Sequence, residues 1–141
     1  MNTDELAERV VRHMLSTDRA SQQMGIRILE ARAGHVRIAM AVTGNMLNAF
    51  STCHGGFIFA FADSAFQFAC NSHNAVTVAA GCTIEFLAPA YENDELTADA
   101  SEQALAGRSG VYDITIRNQR GDKIALFRGK SFRKGEVILS L

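Results

Sequence analysis

The segment from Gly55 to Cys70 constrains the fold more than any other part of the chain. It carries five phenylalanines with alanines and an isoleucine between them, and only Asp63, Ser64 and Gln67 interrupt its apolar character. A helix that is apolar on most of its sides has to be enclosed by the rest of the protein. At about 16 residues, and with polar residues inside it, the run is too short and too polar to span a membrane. We therefore expect a central helix that other elements wrap.

The remaining sequence combines one amphipathic helix with the two-residue period of β-strands. Apolar residues between Asp4 and Thr17 recur every three to four positions, which predicts an amphipathic helix in the N-terminal segment, residues 1–20. Apolar and polar residues then alternate on both sides of a turn at 33–34. Further strand-like runs follow the central helix at 75–87, 96–105, 110–118 and 123–133. The order α-β-β-α-β-β-β-β predicts one α+β domain, residues 1–141, in which an antiparallel sheet wraps a central helix over residues 55–72.

Charge and cysteine content restrict the partners of the chain. It has 14 basic and 15 acidic residues without blocks of one sign, so neither nucleic acid nor a membrane surface is an expected partner. The first residues are polar and acidic, unlike a secretory signal, which favours a cytoplasmic location. Three cysteines without a Cys-x-x-Cys spacing predict reduced thiols, with neither a disulfide framework nor a zinc site. We expect no metal ion and no cofactor.

Asp63 is the residue of the central segment that most needs an explanation. Burial of an unpaired charge is costly, and chains that retain such a group usually use it. Between apolar neighbours such as Phe59 and Phe66, we expect Asp63 to have little access to water on any face of the helix. Desolvation should raise its pKa, whereas the N–H dipoles of a helix start in a partner subunit would lower it. The alternative is a buried, hydrogen-bonded carboxylate with a structural role.

Gly55 and Gly56 begin the predicted helix, where backbone N–H groups have no partner inside the helix. Such a helix start can serve as an oxyanion hole, although a glycine pair can also be a simple tight turn. Asp63 lies two turns further along, roughly 11 Å away. Because an attacking atom must come within about 3 to 3.5 Å of a carbonyl, one helix cannot supply both groups to one substrate. A two-fold dimer, in which Asp63 of one subunit faces the glycines of its partner, supplies both groups twice.

Three nearby polar residues allow more than one interpretation. His54 directly precedes the helix and could be a general base, a ligand or an orienting group, but a lone histidine is a weak metal signal, which favours positioning. Asn48 could orient a water or the substrate, or only fix its own loop. Ser64 could hydrogen-bond beside Asp63 or bond back to its own helix. The pattern alone leaves these alternatives open.

A basic cluster lies near the end of the sequence. It could bind phosphate groups, but exposed basic clusters are common, and a solvated strand end is the simpler interpretation. Its members are Arg128, Lys130, Arg133 and Lys134. Three histidines have no partner pattern in the sequence and are expected at the surface: His13, His35 and His73.

Together these motifs resemble one family, the hotdog-fold acyl-CoA thioesterases of the phenylacetate-degradation (PaaI) type. The similarity extends over most of the chain. Its most specific part is His54-Gly55-Gly56, with Asp63 nine positions after the histidine and Asn48 six positions before it. Further matching segments are Met46-Leu47-Asn48, Ala69-Cys70-Asn71-Ser72, Cys82-Thr83-Ile84, Phe86-Leu87-Ala88-Pro89, Gly110-Val111-Tyr112-Asp113-Ile114 and Ala125-Leu126-Phe127-Arg128-Gly129-Lys130-Ser131.

The resemblance implies a hotdog fold and hydrolysis of ring-hydroxylated phenylacetyl-CoA thioesters in phenylacetate catabolism, without a cofactor. It also implies homodimers with shared active sites that pair into homotetramers. By the family's pattern, Asp63 would be the general base or nucleophile. The N–H of Gly55, with that of Gly56, would polarise the thioester carbonyl, and Asn48 and His54 would position the thioester or the attacking water.

Ser64 stands where relatives often have threonine, and its hydroxyl would support the carboxylate site. Arg128 and Lys130 are the candidates for binding the coenzyme A tail. Two other classes compete with a thioesterase. A hotdog acyl-CoA hydratase or dehydratase would need an Asp and a His close together on the helix, whereas here the histidine precedes it. A non-catalytic acyl-CoA-binding module is the other alternative, since a fold does not fix an activity.

Overall fold

The computed structural model describes the whole chain, residues 1–141. The helices are α1 Thr3–Thr17, α2 Arg19–Gln23 and α3 Gly55–Asn71, and a 3-10 turn covers Gly44–Met46. The strands are β1 Arg27–Arg32, β2 His35–Ala41, β3 Ala75–Phe86, β4 Glu95–Ala106, β5 Ser109–Arg117 and β6 Lys123–Val137. Apart from α2 and the 3-10 turn, these elements follow the predicted order, and α3 ends one residue before its predicted end.

The six strands form one antiparallel sheet in the order β1-β2-β4-β5-β6-β3. Short turns join β1 to β2, β4 to β5 and β5 to β6, whereas α3 carries the chain from β2 to β3 at the far edge. Buried and exposed residues alternate along β4, β5 and β6, so one side of each strand faces α3. The sheet wraps the central helix, as the sequence predicts.

Aromatic side chains of α3 form the centre of the core. Phe61, Phe66 and Phe68 are almost fully buried, and burial of each such side chain contributes roughly 1.5–3 kcal/mol. The ring of Phe66 packs against Tyr112, with 5.8 Å between the ring centroids. Gly129 on β6 lies against the same ring, because a Cβ at this position would be 2.7 Å from it. This glycine therefore lets α3 approach the sheet closely.

The N-terminal helix begins one residue before the predicted Asp4 and ends at the predicted Thr17, so it fills most but not all of the segment 1–20. Helix α1 stops at Thr17, Asp18 has an extended backbone, and the separate short helix α2 begins at Arg19. The Asp18 carboxylate accepts a hydrogen bond from the Ser21 N–H at 3.0 Å and so caps α2. Aspartate is a poor residue inside a helix and a good one at its N-cap, and the apolar period of α1 ends here, so the chain breaks at Asp18. Gly25, with φ +71°, then makes the turn that leads into β1.

One side of α3 is left uncovered by the single chain. The edge strand β3 has only β6 as a neighbour, and most of its side chains are exposed. The helix has a partly exposed stripe, Gly56, Ala60, Asp63 and Gln67. A long free strand edge is a surface at which another strand can pair.

Two histidines that were expected at the surface are instead partly buried and hydrogen-bonded. His35 Nδ1 lies 3.1 Å from Ser101 Oγ, and His73 Nε2 lies 2.7 Å from Glu102 Oε1. Their partners come from β4, far away in the sequence, so a local pattern could not reveal them. His13 is exposed, as predicted. No helix of the chain has the length and apolar character needed to cross a membrane.

Candidate active site

The start of α3 is organised by His54. Its imidazole lies against the first turn, and Nδ1 accepts a hydrogen bond from the Gly56 N–H at 2.9 Å. Its backbone oxygen accepts the N–H groups of Phe57 at 2.9 Å and Ile58 at 3.3 Å. The N–H of Gly55 has no acceptor within the chain. Gly55 therefore carries the one free donor of this helix end, and a free donor is what an oxyanion site requires.

This arrangement narrows the roles predicted for His54 and Gly56. Because Nδ1 accepts a bond from Gly56, a neutral imidazole carries its proton on Nε2. The histidine caps the helix, and its own N–H donates to Met46 O at 2.7 Å, which fixes the backbone before the helix. The N–H of Gly56 is occupied by His54 in this conformation and is not free for a substrate oxygen. A Cβ on Gly56 would lie 3.1 Å from Nδ1, so glycine lets the imidazole come this close.

Asn48 holds the loop that leads into His54. Its Oδ1 accepts the N–H groups of Phe50 at 2.9 Å and Thr52 at 3.2 Å, and its Nδ2 donates to Thr52 Oγ1 at 3.0 Å. Between these residues Ser51 has a left-handed backbone, with φ +61°. The sequence allows two roles for Asn48, and these hydrogen bonds correspond to the second one, in which Asn48 fixes its own loop.

An apolar pocket of about 340 Å³ opens beside Gly55. Phe86 and Leu87, each about half exposed, form part of its wall, and a Cβ on Gly55 would lie only 3.3 Å from the Phe86 ring. Burial raises the pKa of the Cys53 thiol, which also lines the pocket, to about 11, so this thiol is protonated at neutral pH. The free Gly55 donor is thus next to an apolar space. Sequence reasoning used Phe86 and Leu87 only as part of a family motif and missed them as pocket residues.

Asp63 lies in the partly exposed stripe of α3, and its carboxylate accepts no hydrogen bond within the chain. Burial is the main cause that raises the pKa of Asp63, and the charge of Asp18 raises it further. The expected effect of desolvation is therefore confirmed. The expectation of little access to water is wrong for the single chain, because Asp63 stays partly exposed in this stripe.

The hydroxyl of Ser64 contacts α2 and not the Asp63 carboxylate, contrary to its predicted supporting role. Ser64 is buried, and its Oγ lies 2.8 Å from Ser21 Oγ. One turn further along α3, the amide of Gln67 donates a hydrogen bond to Asp18 Oδ2. These contacts join α3 to the N-terminal helices. Sequence reasoning missed them, although a glutamine inside an apolar helix was a signal that it has a partner.

Arg128 and Lys130 lie on the face of the sheet opposite α3, because the alternate residues Phe127 and Gly129 face the helix. Arg128 forms a bidentate pair with Asp113 on β5, at 2.7 and 2.8 Å. The hydrogen bond from Arg128 lowers the pKa of the Asp113 carboxyl. A phosphate would have to compete with Asp113 for Arg128, whereas Lys130 is exposed and forms no ion pair. Within one chain, neither cation is close to the groups on α3.

The candidate residues on and before α3 form two separate groups. Asn48, His54 and Gly55 gather at the helix start, and Asp63 lies two turns along the same helix. At about 1.5 Å per residue, the second group is too far from the first to act on the same carbonyl. No three His, Cys, Asp or Glu side chains are arranged so that they could hold a metal ion.

Comparisons with known proteins define the class of this protein. The family model of the Thioesterase superfamily matches residues 50–125. Acyl-coenzyme A thioesterase PaaI of Escherichia coli K12 is 45% identical over 125 residues, which are 89% of this chain and 89% of the relative. The chain therefore belongs to the thioesterase superfamily and is a thioesterase of the PaaI type. This confirms the family and the enzyme class that the sequence motifs indicate.

Solved structures share the fold. The structure of the E. coli PaaI protein from the phenylacetic acid degradation operon has a TM-score of 0.96 and 41% identity, and the match covers 98% of this chain and 100% of that one. A hypothetical thioesterase from Streptococcus pneumoniae TIGR4, solved with coenzyme A, has a TM-score of 0.77 and 25% identity, with 79% and 88% covered. The predicted α+β hotdog fold is confirmed.

Proposed function

We propose that this protein is an acyl-CoA thioesterase of phenylacetate catabolism that hydrolyses aryl-acetyl-CoA thioesters, with ring-hydroxylated phenylacetyl-CoA as its preferred substrate. The observation that carries this proposal is the single free N–H of Gly55 beside an apolar pocket. Thioester hydrolysis needs a donor for the developing oxyanion and an apolar surface that binds the acyl group. The name of the relative from E. coli, an acyl-coenzyme A thioesterase, supports coenzyme A as the thiol.

Asp63 acts as a general base or as a nucleophile. As a base, its carboxylate takes a proton from a water whose oxygen bonds to the carbonyl carbon, and the oxyanion accepts the Gly55 N–H. The intermediate then expels the coenzyme A thiolate, which receives the proton. As a nucleophile, Asp63 forms an anhydride with release of the thiolate, and water hydrolyses the anhydride. Both routes need ionised Asp63, so activity rises as the pH increases through its raised pKa.

The two groups meet on one carbonyl in a homodimer with shared active sites. The exposed stripe of α3 and the free edge of β3 are surfaces that a second copy of the chain can cover. Pairing of two β3 edges would continue the sheet across a two-fold axis and would bring each Asp63 to the partner's helix start. Such a dimer would also bury Asp63 further. The pairing of dimers into homotetramers, as the family resemblance implies, is part of this proposal.

The apolar pocket beside Gly55 takes the aryl part of the acyl group. Its volume of about 340 Å³ is within the range of roughly 300–1,000 Å³ for small-molecule sites. The Phe86 ring offers an aromatic surface for a bound ring. The phosphates of coenzyme A bind Lys130, and they bind Arg128 only if it releases Asp113. A cytoplasmic location and the absence of a cofactor also belong to the proposal.

Release of free thiol from a panel of acyl-CoA esters tests this function. The panel contains phenylacetyl, hydroxyphenylacetyl, benzoyl and straight-chain esters, and the variants are Asp63→Asn and, as a matched control, Asp122→Asn. Asp122 is an exposed carboxylate in the β5–β6 turn. We expect the hydroxyphenylacetyl ester to be turned over fastest. Asp63→Asn should lower turnover by at least about a hundredfold, the usual scale for an acid–base group, and Asp122→Asn should leave it unchanged.

Each other outcome would change a specific part of the proposal. Faster turnover of straight-chain esters would keep the thioesterase and remove the aryl-acetyl preference. Near-normal turnover by Asp63→Asn would remove Asp63 from the mechanism. If the wild-type protein hydrolysed none of the esters but bound them, a non-catalytic acyl-CoA-binding module would replace the enzyme.

A further inference from the structure

The α1–α2 corner, residues 18–21, contacts α3 directly beside Asp63. Ser21 on α2 is almost fully buried, and its Oγ lies 2.8 Å from the buried Oγ of Ser64. The same Ser21 Oγ donates to Asp18 Oδ2 at 2.7 Å, and this carboxylate oxygen also accepts the amide of Gln67. The corner is therefore one hydrogen-bonded unit with Asp18 at its centre.

Helix geometry places Asp18 on the side of α3 that carries Asp63. Gln67 follows Asp63 by four residues, so the two side chains are neighbours on one face of the helix. Because Gln67 binds the Asp18 carboxylate, that carboxylate lies beside the same face. Two carboxylates from different elements, Asp18 and Asp63, are thus neighbours, with the amide of Gln67 bonded to the first.

We propose that Asp18 is a positioning residue of the active site, which holds the α3 turn that carries Asp63 and keeps a second negative charge beside the reacting carboxylate. This inference rests on the thioesterase function proposed above and adds to it a residue from the N-terminal corner. Asp18 acts through Asp63 and Gln67.

The charge of Asp18 makes ionisation of Asp63 less favourable, since like charges in proximity disfavour each other. After burial, Asp18 is the second cause of the raised pKa of Asp63. The other titratable groups that interact with Asp63 are the thiols of Cys70 on α3 and Cys82 on β3, and burial raises the pKa of both, to about 12 for Cys70. Both thiols are neutral at neutral pH. Asp18 is therefore the one charge of this chain that shifts Asp63.

The expected consequence is a stronger base. The ability of a carboxylate to accept a proton from water in the transition state increases with its pKa, as long as it stays ionised at the working pH. Burial is the larger cause of the raised pKa of Asp63, and it persists in a variant that keeps the fold. The contribution of the Asp18 charge to the raised pKa of Asp63 differs from that of burial, because a single isosteric substitution, Asp18→Asn, removes it.

The Asp18→Asn variant tests the charge. Its Oδ1 keeps the cap of the Ser21 N–H, and its Nδ2, in the place of Oδ2, can donate to Gln67 Oε1 once the Gln67 amide turns over. We expect the acidic limb of the kcat profile to move to lower pH, because Asp63 loses a like charge. The plateau should fall by up to about tenfold with little change in KM. The matched control is Asp4→Asn, at the other end of α1, where the carboxylate accepts the Ala33 N–H at 3.1 Å. This control should leave both the limb and the plateau unchanged.

A second measurement does not depend on turnover. The aspartate carboxyl carbons can be followed by 13C NMR during a pH titration, with the Asp63 signal assigned by its loss in Asp63→Asn. In Asp18→Asn, the Asp63 carboxyl should titrate at lower pH than in the wild type, and an unchanged titration would overturn the inference. A wild-type protein that hydrolyses no thioester would contradict the proposed function, yet the titration of Asp63 could still be measured.

The Asp18→Ala variant tests the positioning part. Alanine removes the cap of α2 and the acceptor for Gln67, so kcat should fall below that of Asp18→Asn while KM stays near the wild-type value. Asp18→Asn then serves as the conservative variant that restores part of the rate. If both variants had the kcat and the acidic limb of the wild type, Asp18 would have only a structural role, and the inference would be wrong.

Discussion

At the start of α3, His54 binds three consecutive backbone N–H groups and leaves that of Gly55 free, whereas further along the same helix the Asp63 carboxylate accepts no hydrogen bond from its own chain. The first group is complete in itself, because the acceptors come from a residue that directly precedes the helix. The second is incomplete, because its surroundings come from the distant α1–α2 corner and from a side of α3 that this chain leaves uncovered.

This difference shows how one helix can carry two polar groups that are too far apart to reach the same carbonyl within one subunit. The acceptors of the Gly56, Phe57 and Ile58 N–H groups come from the residue directly before the helix, so each chain can fold with a finished oxyanion donor. A desolvated carboxylate is costly to bury without a partner, and the single chain leaves Asp63 half-buried. In the proposed dimer, association would complete the desolvation and the active site in the same step.

The largest effect is expected from separating the two groups on different chains. Subunits with Asp63→Asn lack the carboxylate, and subunits with a bulky residue at Gly55 lack access to the free donor, so each variant alone should be at least about a hundredfold less active. When the two are mixed and allowed to exchange subunits, a hybrid dimer contains one site with both intact groups. Thiol release should recover to a clear fraction of the wild-type rate.

As the control, each variant alone is taken through the same exchange procedure. Subunit exchange is verified by mass spectrometry of subunits that carry different isotope labels. Absence of recovery despite verified exchange would argue against a site shared between subunits. In that case the difference between the Gly55 donor and the Asp63 carboxylate would not explain catalysis.

A smaller effect is expected from His54, which organises the finished group. His54→Ala removes the acceptor for the Gly56 N–H, and the loss of such a cap costs about 1 kcal/mol in free energy of unfolding. His54→Asn keeps a capping oxygen and should retain most of that stability. Urea unfolding at one fixed protein concentration measures both variants.

Turnover of the same two variants separates capping from proton transfer. If His54 only caps and orients the helix start, His54→Asn should retain most of the wild-type kcat. If His54 is a general base, both variants should lose kcat to the same extent. Equal and large losses of kcat in His54→Ala and His54→Asn would show that the imidazole itself takes part in the reaction.

The helix start is also the region that the sequence predicts best. The glycine pair, the apolar helix and the order of the strands are written in local patterns, since capping, period and turn residues act over a few positions. The role of His54 as an orienting group was one of the alternatives that the sequence left open. In the structure, His54 Nδ1 accepts a hydrogen bond from the Gly56 N–H, two residues away, which agrees with the orienting role.

The surroundings of Asp63 could not be predicted in the same way. The contact of Ser64 with Ser21, and that of Gln67 with Asp18, joins elements that are distant in sequence. A pattern of period 3.6 indicates that a helix face is covered but not which residue covers it. The pairing of Arg128 with Asp113 was missed for a related reason. It depends on the register of β5 and β6, which the positions of charged residues in the sequence do not reveal.

The smallest effect is a pH-dependent change in stability, and it compares Asp63 with Asp113. The pKa of Asp63 is raised above its ordinary value of 3.8, so the folded state holds the proton more tightly than the unfolded chain. The free energy of unfolding then falls as the pH rises from the unfolded pKa through the folded one. Asp63→Asn should therefore stabilise the protein near neutral pH, with a gain that disappears toward acid pH.

For Asp113, whose pKa the Arg128 hydrogen bond lowers, the sign is opposite, and Asp113→Asn should destabilise the protein near neutral pH. Urea unfolding of both variants and the wild type at several pH values measures the two slopes. An Asp63→Asn protein that is less stable than the wild type near neutral pH would show that the carboxylate gains a stabilising partner in the assembled protein, as the N–H groups at a partner's helix start would provide.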